Sequence, residues 1–529
     1  MTNAIGELES ESNCIFVIGS NTTENHPVIG MKIKKNVIYN GAKLIVADPR
    51  RTDLADLADV YMPHLPGSDV ALVNGMMNVI ISEKLADTAF IAEHTEGYEE
   101  MAKVVEKYTP EYAESITGVP AENIFKAARI YAEAGSAAIC YAMGLTQHRT
   151  GTDNVKSVCN LAMLTGNIGR PGTGVDPLRG QNNVQGACDM GGLPTVYTAY
   201  QAVTNEAARA KFEQAWGVSL PDKNGQVLTE VINLAHHGQM KALYVLGENP
   251  MMSDPDLHHV EEALEKLDFL VVQDIFLTET AKYADVVLPG ASFAEKDGTF
   301  SNTERRVQRI RKAVSPPGEA KADWQILGDL STRMGYKMDY ASSEEIFEEM
   351  RALTPSYAGI NYARLEKGGL QWPCPNEEHS GTPFLHKDGN FSRGKGAFTA
   401  IDFIPPGEVP DEEYPLILTT GRSLFHYHTG TMTRRASALD QHVPEGELEI
   451  NPELAARLDV KNGEKVKIST RRGSLEIKAK VTDILTPGVV FTTFHFHETP
   501  VNLLTESEFL DPTAKIPEYK VSAARVEKI

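Results

Sequence analysis

No two of the five cysteines (Cys14, Cys140, Cys159, Cys188 and Cys374) lie closer than 19 residues. There is thus no Cys-x-x-Cys pair, and neither a structural zinc knot nor an iron–sulfur cluster is expected on this chain alone. An odd, scattered set suits a reducing compartment with mostly buried thiols. No run of about 18 apolar residues exists, so no membrane span is expected. The first residues, MTNAIGELESESN, are polar and acidic and show no signal peptide, so the expected location is cytoplasmic. Positive charge is also short. Lys and Arg number 51 against 72 Asp and Glu, a net of −21, which disfavours a nucleic-acid partner because its phosphates would be repelled. Neither G-x-G-x-x-G nor G-x-x-x-x-G-K-[ST] occurs, so an ordinary nicotinamide site or P-loop is not indicated.

What is present is an ordinary globular composition, 42% hydrophobic and 23% charged over 529 residues. At about 100–200 residues per domain this suggests three or four domains. The chain also repeats itself. CIFVIGSNTTENHP (14–27) resembles LYVLGENPMMSDP (243–255). An amphipathic stretch follows each, 28–40 and 256–267. Then comes a second apolar run, KLIVADPRRT (43–52) against FLVVQDIFLT (269–278), closed by Asp48 and Asp274. Eleven residues further on, both copies read Ala-Asp-Val, and both end in Leu-Pro-Gly at 65–67 and 288–290.

The physical reading is strand, turn, helix, parallel strand, then an acid at the strand's carboxyl end. Continuous apolar runs suit strands buried on both faces, and ligands on open α/β sheets sit beyond those carboxyl ends. Gly19 and Gly247 would let the backbone approach a phosphate or sugar. Asp48 and Asp274 follow them by 29 and 27 residues, placed to reach a ribose hydroxyl or a guanine edge. Two copies imply two nucleotide-like moieties. The alternative is a plain α/β scaffold with surface aspartates.

Eight glycines fall within 166–192, after a helical pattern over 153–165. Such a stretch can line a cavity with backbone amides, and within it stand Arg179, Gln181, Asn182, Asn183 and Gln185. An arginine offers a bidentate fork to a carboxylate; an exposed linker is the alternative. A second arginine, Arg422, follows a strand at 414–419 and precedes His426, Tyr427 and His428. On an extended chain the two histidines would share one face. Without a third ligand they read as hydrogen-bonding groups for a polar cofactor, or as surface histidines, and no metal ligands are assigned. From about 445 the chain turns β-rich: 464–481 alternates apolar and polar about a turn at Arg472-Gly473, a hairpin with one buried face. The proline-rich, acidic 400–412 segment is a candidate boundary.

VIGSNTTENHP, DPRRTDLADLAD, MGLTQHRTG, GENPMMSD, VVQDIFLTETAKYADVVLP, PEYKVSAARVE and, most specifically, RGQNNVQGACDMG together resemble the large-subunit family of formate dehydrogenases. These belong to the molybdopterin oxidoreductases, the dimethyl sulfoxide reductase-like family. The resemblance covers essentially the whole chain. It implies an α/β fold: one dinucleotide-binding domain at 1–180, a second, pseudo-twofold-related one at 181–404, and a double-psi β-barrel at 405–529. It implies molybdenum or tungsten held by two molybdopterin guanine dinucleotides. It also implies oxidation of formate to carbon dioxide, and an electron-transfer subunit as partner.

Residue by residue, Arg179 resembles the arginine that holds the formate carboxylate. Gly19, Asn21, Asp48, Arg50, Gly67, Asp69, Met143, Gly144 and Gln147 resemble one dinucleotide's pocket. Gly247, Glu248, Asn249, Gln273, Asp274, Thr278 and Asp323 resemble the other's. Gln181, Arg422, His426, Tyr427, His428, Asn502, Tyr519 and Lys520 fall at expected pterin and phosphate contacts. His64 and His148 receive no role and are expected to be surface or packing residues. The family's N-terminal cysteine motif for a four-iron cluster, its selenocysteine or cysteine metal ligand and the adjacent histidine are absent from this sequence. The expectation is therefore the C-terminal portion of such a subunit, inactive alone and truncated at a selenocysteine codon, with any iron–sulfur cluster in the missing part. The alternative is a non-catalytic binding or structural subunit of the same family.

Overall fold

The computed structural model describes residues 1–529 as two compact units. One comprises 1–180, 252–257 and 384–529; the other comprises 181–251 and 258–383.

The first unit is built on a five-stranded, all-parallel sheet. From edge to edge its strands are Val60–Met62, Lys43–Ala47, Cys14–Ile18, Ala137–Tyr141 and Gly174–Pro177. The central strands are buried along their length, as uninterrupted apolar runs require when helices cover both faces. One face packs on the helices Asp69–Ser82, Ala121–Glu133 and Gly151–Leu164; the other packs on Pro27–Lys35 through Ile29 and Ile33. The expected helix over 28–40 is an α-helix only to Lys35, followed by a π turn at Asn36–Asn40.

The same unit carries a closed six-stranded barrel. Its strands, in order around the barrel, are Leu416–Gly421, Val489–Thr493, Glu447–Ile450, Ser474–Val481, Lys465–Ser469 and Ser522–Lys528. The expected hairpin about Arg472-Gly473 is the antiparallel pair Lys465–Ser469 and Ser474–Val481. Its inward residues Val466, Ile468, Ile477 and Ala479 join Leu448, Ile450 and Val490 in the barrel core.

The second unit contains a three-stranded parallel sheet ordered Ala242–Leu246, Phe269–Asp274, Val286–Pro289. This is the same strand order as Cys14–Ile18, Lys43–Ala47, Val60–Met62, and the agreement reaches single hydrogen bonds. The Gly19 amide donates to the Ala47 carbonyl (3.0 Å), and the Gly247 amide donates to Gln273 (2.9 Å). The Leu44 amide donates to the Asp59 carboxylate (3.0 Å), and the Leu270 amide donates to Asp285 (2.7 Å). The Asp of each Ala-Asp-Val thus locks the start of the middle strand. Both glycines lie at positive φ, 57° and 65°, where a side chain is disfavoured.

Several glycines of the glycine-rich segment serve close backbone packing rather than a cavity wall. A Cβ on Gly169 would stand 1.9 Å from the His386 carbonyl oxygen, one on Gly172 2.1 Å from that of Glu11, and one on Gly174 2.3 Å from Thr2 Oγ1. These glycines are sites of close backbone packing. Gly180, next to Arg179, lines a cleft.

Candidate functional site

The carboxyl ends of the first sheet and the rim of the barrel enclose a cleft with about 850 Å³ of space, part of it open to solvent. Gly19, Asn21, Asp48, Arg50, Met143, Gly144, Gln147, Gly180, Arg422 and Lys520 line it. Residues as distant in sequence as Gly19 and Lys520 meet here, the first from the carboxyl end of a sheet strand and the second from the barrel.

Three cations converge on a chain that is otherwise strongly acidic. Lys520 is buried and donates to the Thr420 carbonyl (2.7 Å). Burial, reinforced by Arg422, pushes its ammonium down to about 7, against the pull of Asp48. Burial also lowers the Arg422 guanidinium. Arg50 is oriented by Glu449 (2.9 Å) and by the Phe491 ring, 3.7 Å from its guanidinium carbon. Its Nε, like His26 Nδ1 and His64 Nδ1, is buried without a protein partner. Asp48 is held above the usual carboxylate range by burial, although the Arg50 amide donates to it (2.9 Å). Three converging cations, with the Arg50 Nε unpaired, describe a site for an anionic ligand rich in acceptors.

Arg179 follows the Gly174–Pro177 strand, between the cleft residues Leu178 and Gly180. The Leu178 amide donates to Tyr141 (2.7 Å). His26, immediately before the Pro27–Lys35 helix, hydrogen-bonds the Arg179 carbonyl through Nε2 (2.7 Å). Burial lowers the His26 imidazole, so at neutral pH it is uncharged and donates from Nε2. Sequence reasoning missed His26; its place just before a helix-starting proline was the available signal.

Several of the candidate residues are also held by contacts within the protein. Gly19 approaches Gly144, since its Cβ would stand 2.6 Å from the Gly144 carbonyl carbon and 2.4 Å from the Leu145 nitrogen. Gly67 packs against Pro406. His426 and His428 do not share the face of an extended strand. Past Gly421 the chain leaves the strand, and His428 sits at φ 50°. His426 is buried against the Val443 carbonyl (2.6 Å) and Thr433 Oγ1 (3.2 Å). His428 is pushed down to about 4 by burial and Arg422. His495, also missed, ties this loop together: Nε2 accepts from the Ser423 amide (2.9 Å), and Nδ1 donates to the His428 carbonyl (2.5 Å). The Tyr427 amide donates to Thr433 Oγ1 (3.1 Å). Asn502 donates to the carbonyls of Met252 and Ser253, and Tyr519 donates to that of Ser253 (3.0 Å).

His64 and His148 are not surface residues. Both line the cleft and are almost fully buried, flanking Asp69. His64 Nε2 lies 3.1 Å from Asp69 Oδ1, and His148 Nε2 lies 3.9 Å from Oδ2. Burial opposes ionisation of both Asp69 and His64, but their mutual attraction outweighs it; Asp69 is lowered and His64 raised.

In the second unit, the candidate residues gather at the carboxyl end of the three-stranded sheet. Gln273 donates to Asp323 Oδ1 (2.7 Å) and accepts from Tyr244 (2.5 Å). Asn249 accepts from Thr280 (2.8 Å) and donates to Glu279 (2.8 Å), while Thr278 accepts from the Ala281 amide (3.2 Å). Burial, then Asp274, raises Glu248. Asp274 accepts from its own turn's amides at Ile275 and Phe276. In this unit Gln181 also lies at the start of the RGQNNVQGACDMG segment, just before the Val184–Asp189 helix. Asp189 anchors that helix by accepting from Gln185 (2.7 Å), Tyr357 (2.5 Å) and Trp372 (2.7 Å).

Two family models match this chain: molybdopterin oxidoreductase over residues 1–333 and molydopterin dinucleotide binding domain over 416–523. The chain is 53% identical to F420-dependent formate dehydrogenase 1 subunit alpha of Methanococcus maripaludis, over all of this chain and 78% of that protein. It is 44% identical to formate dehydrogenase H of Escherichia coli, over all of this chain and 74% of that protein. Acetylene hydratase from Pelobacter acetylenicus shares the fold, with a TM-score of 0.77 at 22% identity, covering all of this chain and 81% of that one. No helix is long and apolar enough to cross a membrane. The cleft at the sheet's carboxyl ends, the closed barrel and these matches along the whole length make the chain a member of the molybdopterin oxidoreductase family.

Proposed function

We propose that this chain belongs to the alpha subunit of a formate dehydrogenase and serves there in the oxidation of formate to carbon dioxide. The observation that carries the reading is 53% identity along the entire chain to an alpha subunit of that activity. The cleft supports it chemically. Arg50 Nε, His26 Nδ1 and His64 Nδ1 are buried polar atoms without protein partners, and with Arg422 and Lys520 they fit a cofactor carrying phosphates and a pterin edge. We propose two molybdopterin guanine dinucleotides with molybdenum or tungsten. One would be held by Asn21, Asp48, Arg50, Gln147, Arg422 and Lys520, the other at the sheet end of Gly247, Gln273, Asp274 and Asp323. When bound, the cofactor supplies a two-electron redox centre.

The chain's own residues do the rest. The Arg179 guanidinium holds the formate carboxylate through its planar fork and fixes the direction of the C–H bond, a positional contribution. His26 holds the Arg179 peptide from behind. Lys520, poised near neutrality, gains a proton when an anion settles beside it. An electron-transfer subunit receives the electrons.

Replacing Arg179 by lysine in the cofactor-loaded holoenzyme keeps the charge and removes the fork. One charged hydrogen bond is worth about 1.5–3 kcal/mol, so kcat/KM for formate falls by about ten- to a hundred-fold while pterin and metal content stay level. Wild-type kinetics in Arg179→Lys would remove Arg179 from the site.

A further inference from the structure

A guanidinium fork aims the C–H bond of formate only if the peptide that carries the fork is itself fixed. On the reading above, that peptide is Arg179–Gly180, and three contacts within the first unit fix it. Just before it, the Leu178 amide donates to the Tyr141 carbonyl (2.7 Å). Just after its carbonyl, Gly180 packs against the Arg422 guanidinium: a Cβ there would stand 2.2 Å from Nη1 and 2.9 Å from Cζ. Any larger residue at 180 would push that guanidinium away. The third contact is His26, whose Nε2 lies 2.7 Å from the Arg179 carbonyl oxygen.

The backbone around His26 is rigid. The residue precedes the Pro27–Lys35 helix, but its side chain does not cap that helix. Its amide donates to the Thr22 carbonyl and its carbonyl accepts from the Gly30 amide, both at 2.9 Å. The turn sits closely on the helix, since a Cβ on Gly30 would stand 3.1 Å from Thr23 Cα. Ile29 and Ile33 anchor the helix in the core. Nδ1 is buried without a hydrogen-bond partner, so the Nε2 contact is what orients the ring. A carbonyl oxygen can only accept, which puts the proton of the uncharged ring on Nε2. The same turn carries the cleft residues Gly19, Ser20, Asn21 and Asn25. His26 thus ties one wall of the cleft to the substrate arginine.

We propose that His26 is a positioning residue for formate oxidation. Its Nε2–H bond to the Arg179 carbonyl holds the Arg179–Gly180 peptide in register with the Gly19–His26 turn and with Arg422, so that the fork keeps one direction while formate reacts. His26 acts through Arg179 and not on formate itself. The charge of Arg179 does not depend on this bond. Without it formate is still captured, but it is aimed less well.

The test compares two replacements in the holoenzyme. Glutamine can donate from about the place of Nε2, whereas leucine fills similar space and cannot donate. In His26→Leu, kcat should fall by about two- to ten-fold, the scale of one neutral hydrogen bond. KM for formate, pterin content and metal content should stay near wild type. His26→Gln should recover most of the loss, whereas a packing role alone would rank the two variants the other way. Independently of turnover, amide hydrogen exchange across 178–182, measured without formate, should quicken in His26→Leu and stay near wild type in His26→Gln. Nitrogen NMR of the wild type with labelled histidine should place the His26 proton on Nε2. Leucine matching or exceeding glutamine, unaltered exchange in His26→Leu, or a neutral ring protonated on Nδ1 overturns the positioning role. A wild-type holoenzyme that meets the exchange and NMR expectations but leaves formate unoxidised overturns the parent reading instead.

Discussion

The two repeats share a plan but not its surroundings. Each has three parallel strands in the same order, a positive-φ glycine after the first, and an aspartate locking the start of the second. In the first, Cys14–Ile18 is buried throughout and extended by two more parallel strands. In the second, Leu246, Phe269, Val286 and Val287 are exposed, and no further strand joins the sheet. Asp48 is half-buried in the cleft beside Arg50 and Lys520, whereas Asp274 caps its own turn. The backbone pattern is thus set locally, by apolar runs and one aspartate. The chemical character of each sheet end is set by what packs around it.

The largest contrast is expected at the two glycines. Gly19→Ala forces a Cβ to within 2.4 Å of the Leu145 nitrogen at positive φ. Overpacking of about 1–3 kcal/mol adds to about 1–2 kcal/mol for the left-handed backbone. Gly247→Ala meets nothing within 4 Å and should cost only the backbone part. Equal losses in denaturant unfolding would mean that Gly19 and Gly144 do not pack as described. Next come the locks. Asp59→Ala and Asp285→Ala should each destabilise by a similar amount, up to about 1.5–3 kcal/mol for a lost charged hydrogen bond. A large difference between them would break the repeat as an energetic unit.

A third test is a pH dependence. Lys520 falls from 10.5 in the unfolded chain to about 7 in the fold. Between those values the unfolded chain binds more protons, so stability rises with pH across that window. In Lys520→Met that contribution is lost, and the difference in Tm between the two proteins should change across pH 7–10. A bound anion such as inorganic pyrophosphate should restore the lysine's charge and flatten the wild-type curve. A parallel pair of Tm curves without added anion would show that Lys520 is not buried in cationic company.

The strands, the barrel hairpin and the sheet ends were legible because continuous or alternating apolar runs report burial directly. So were the cleft residues Asn21, Asp48, Arg50, Gln147 and Lys520, through their segments' family resemblance. The histidines were not. His26, His64, His148 and His495 gain meaning only from partners distant in the chain, such as Arg179 for His26 and Glu518 for His148. The glycine run misled because a glycine serves a cavity wall and a tight backbone contact equally well, and only the neighbours at Gly169 and Gly172 decide between them. The amides of Asn249 and Asn502, candidate ligand contacts, also close loops within their own units.

The central claim is that this cleft, loaded with a molybdopterin cofactor, oxidises formate. The direct measurement is the change in cofactor absorbance when formate alone is added anaerobically to the loaded holoenzyme, followed by assay of carbon dioxide. The account predicts reduction of the cofactor and one carbon dioxide for each pair of electrons. A fully loaded protein whose spectrum formate leaves unchanged would contradict it.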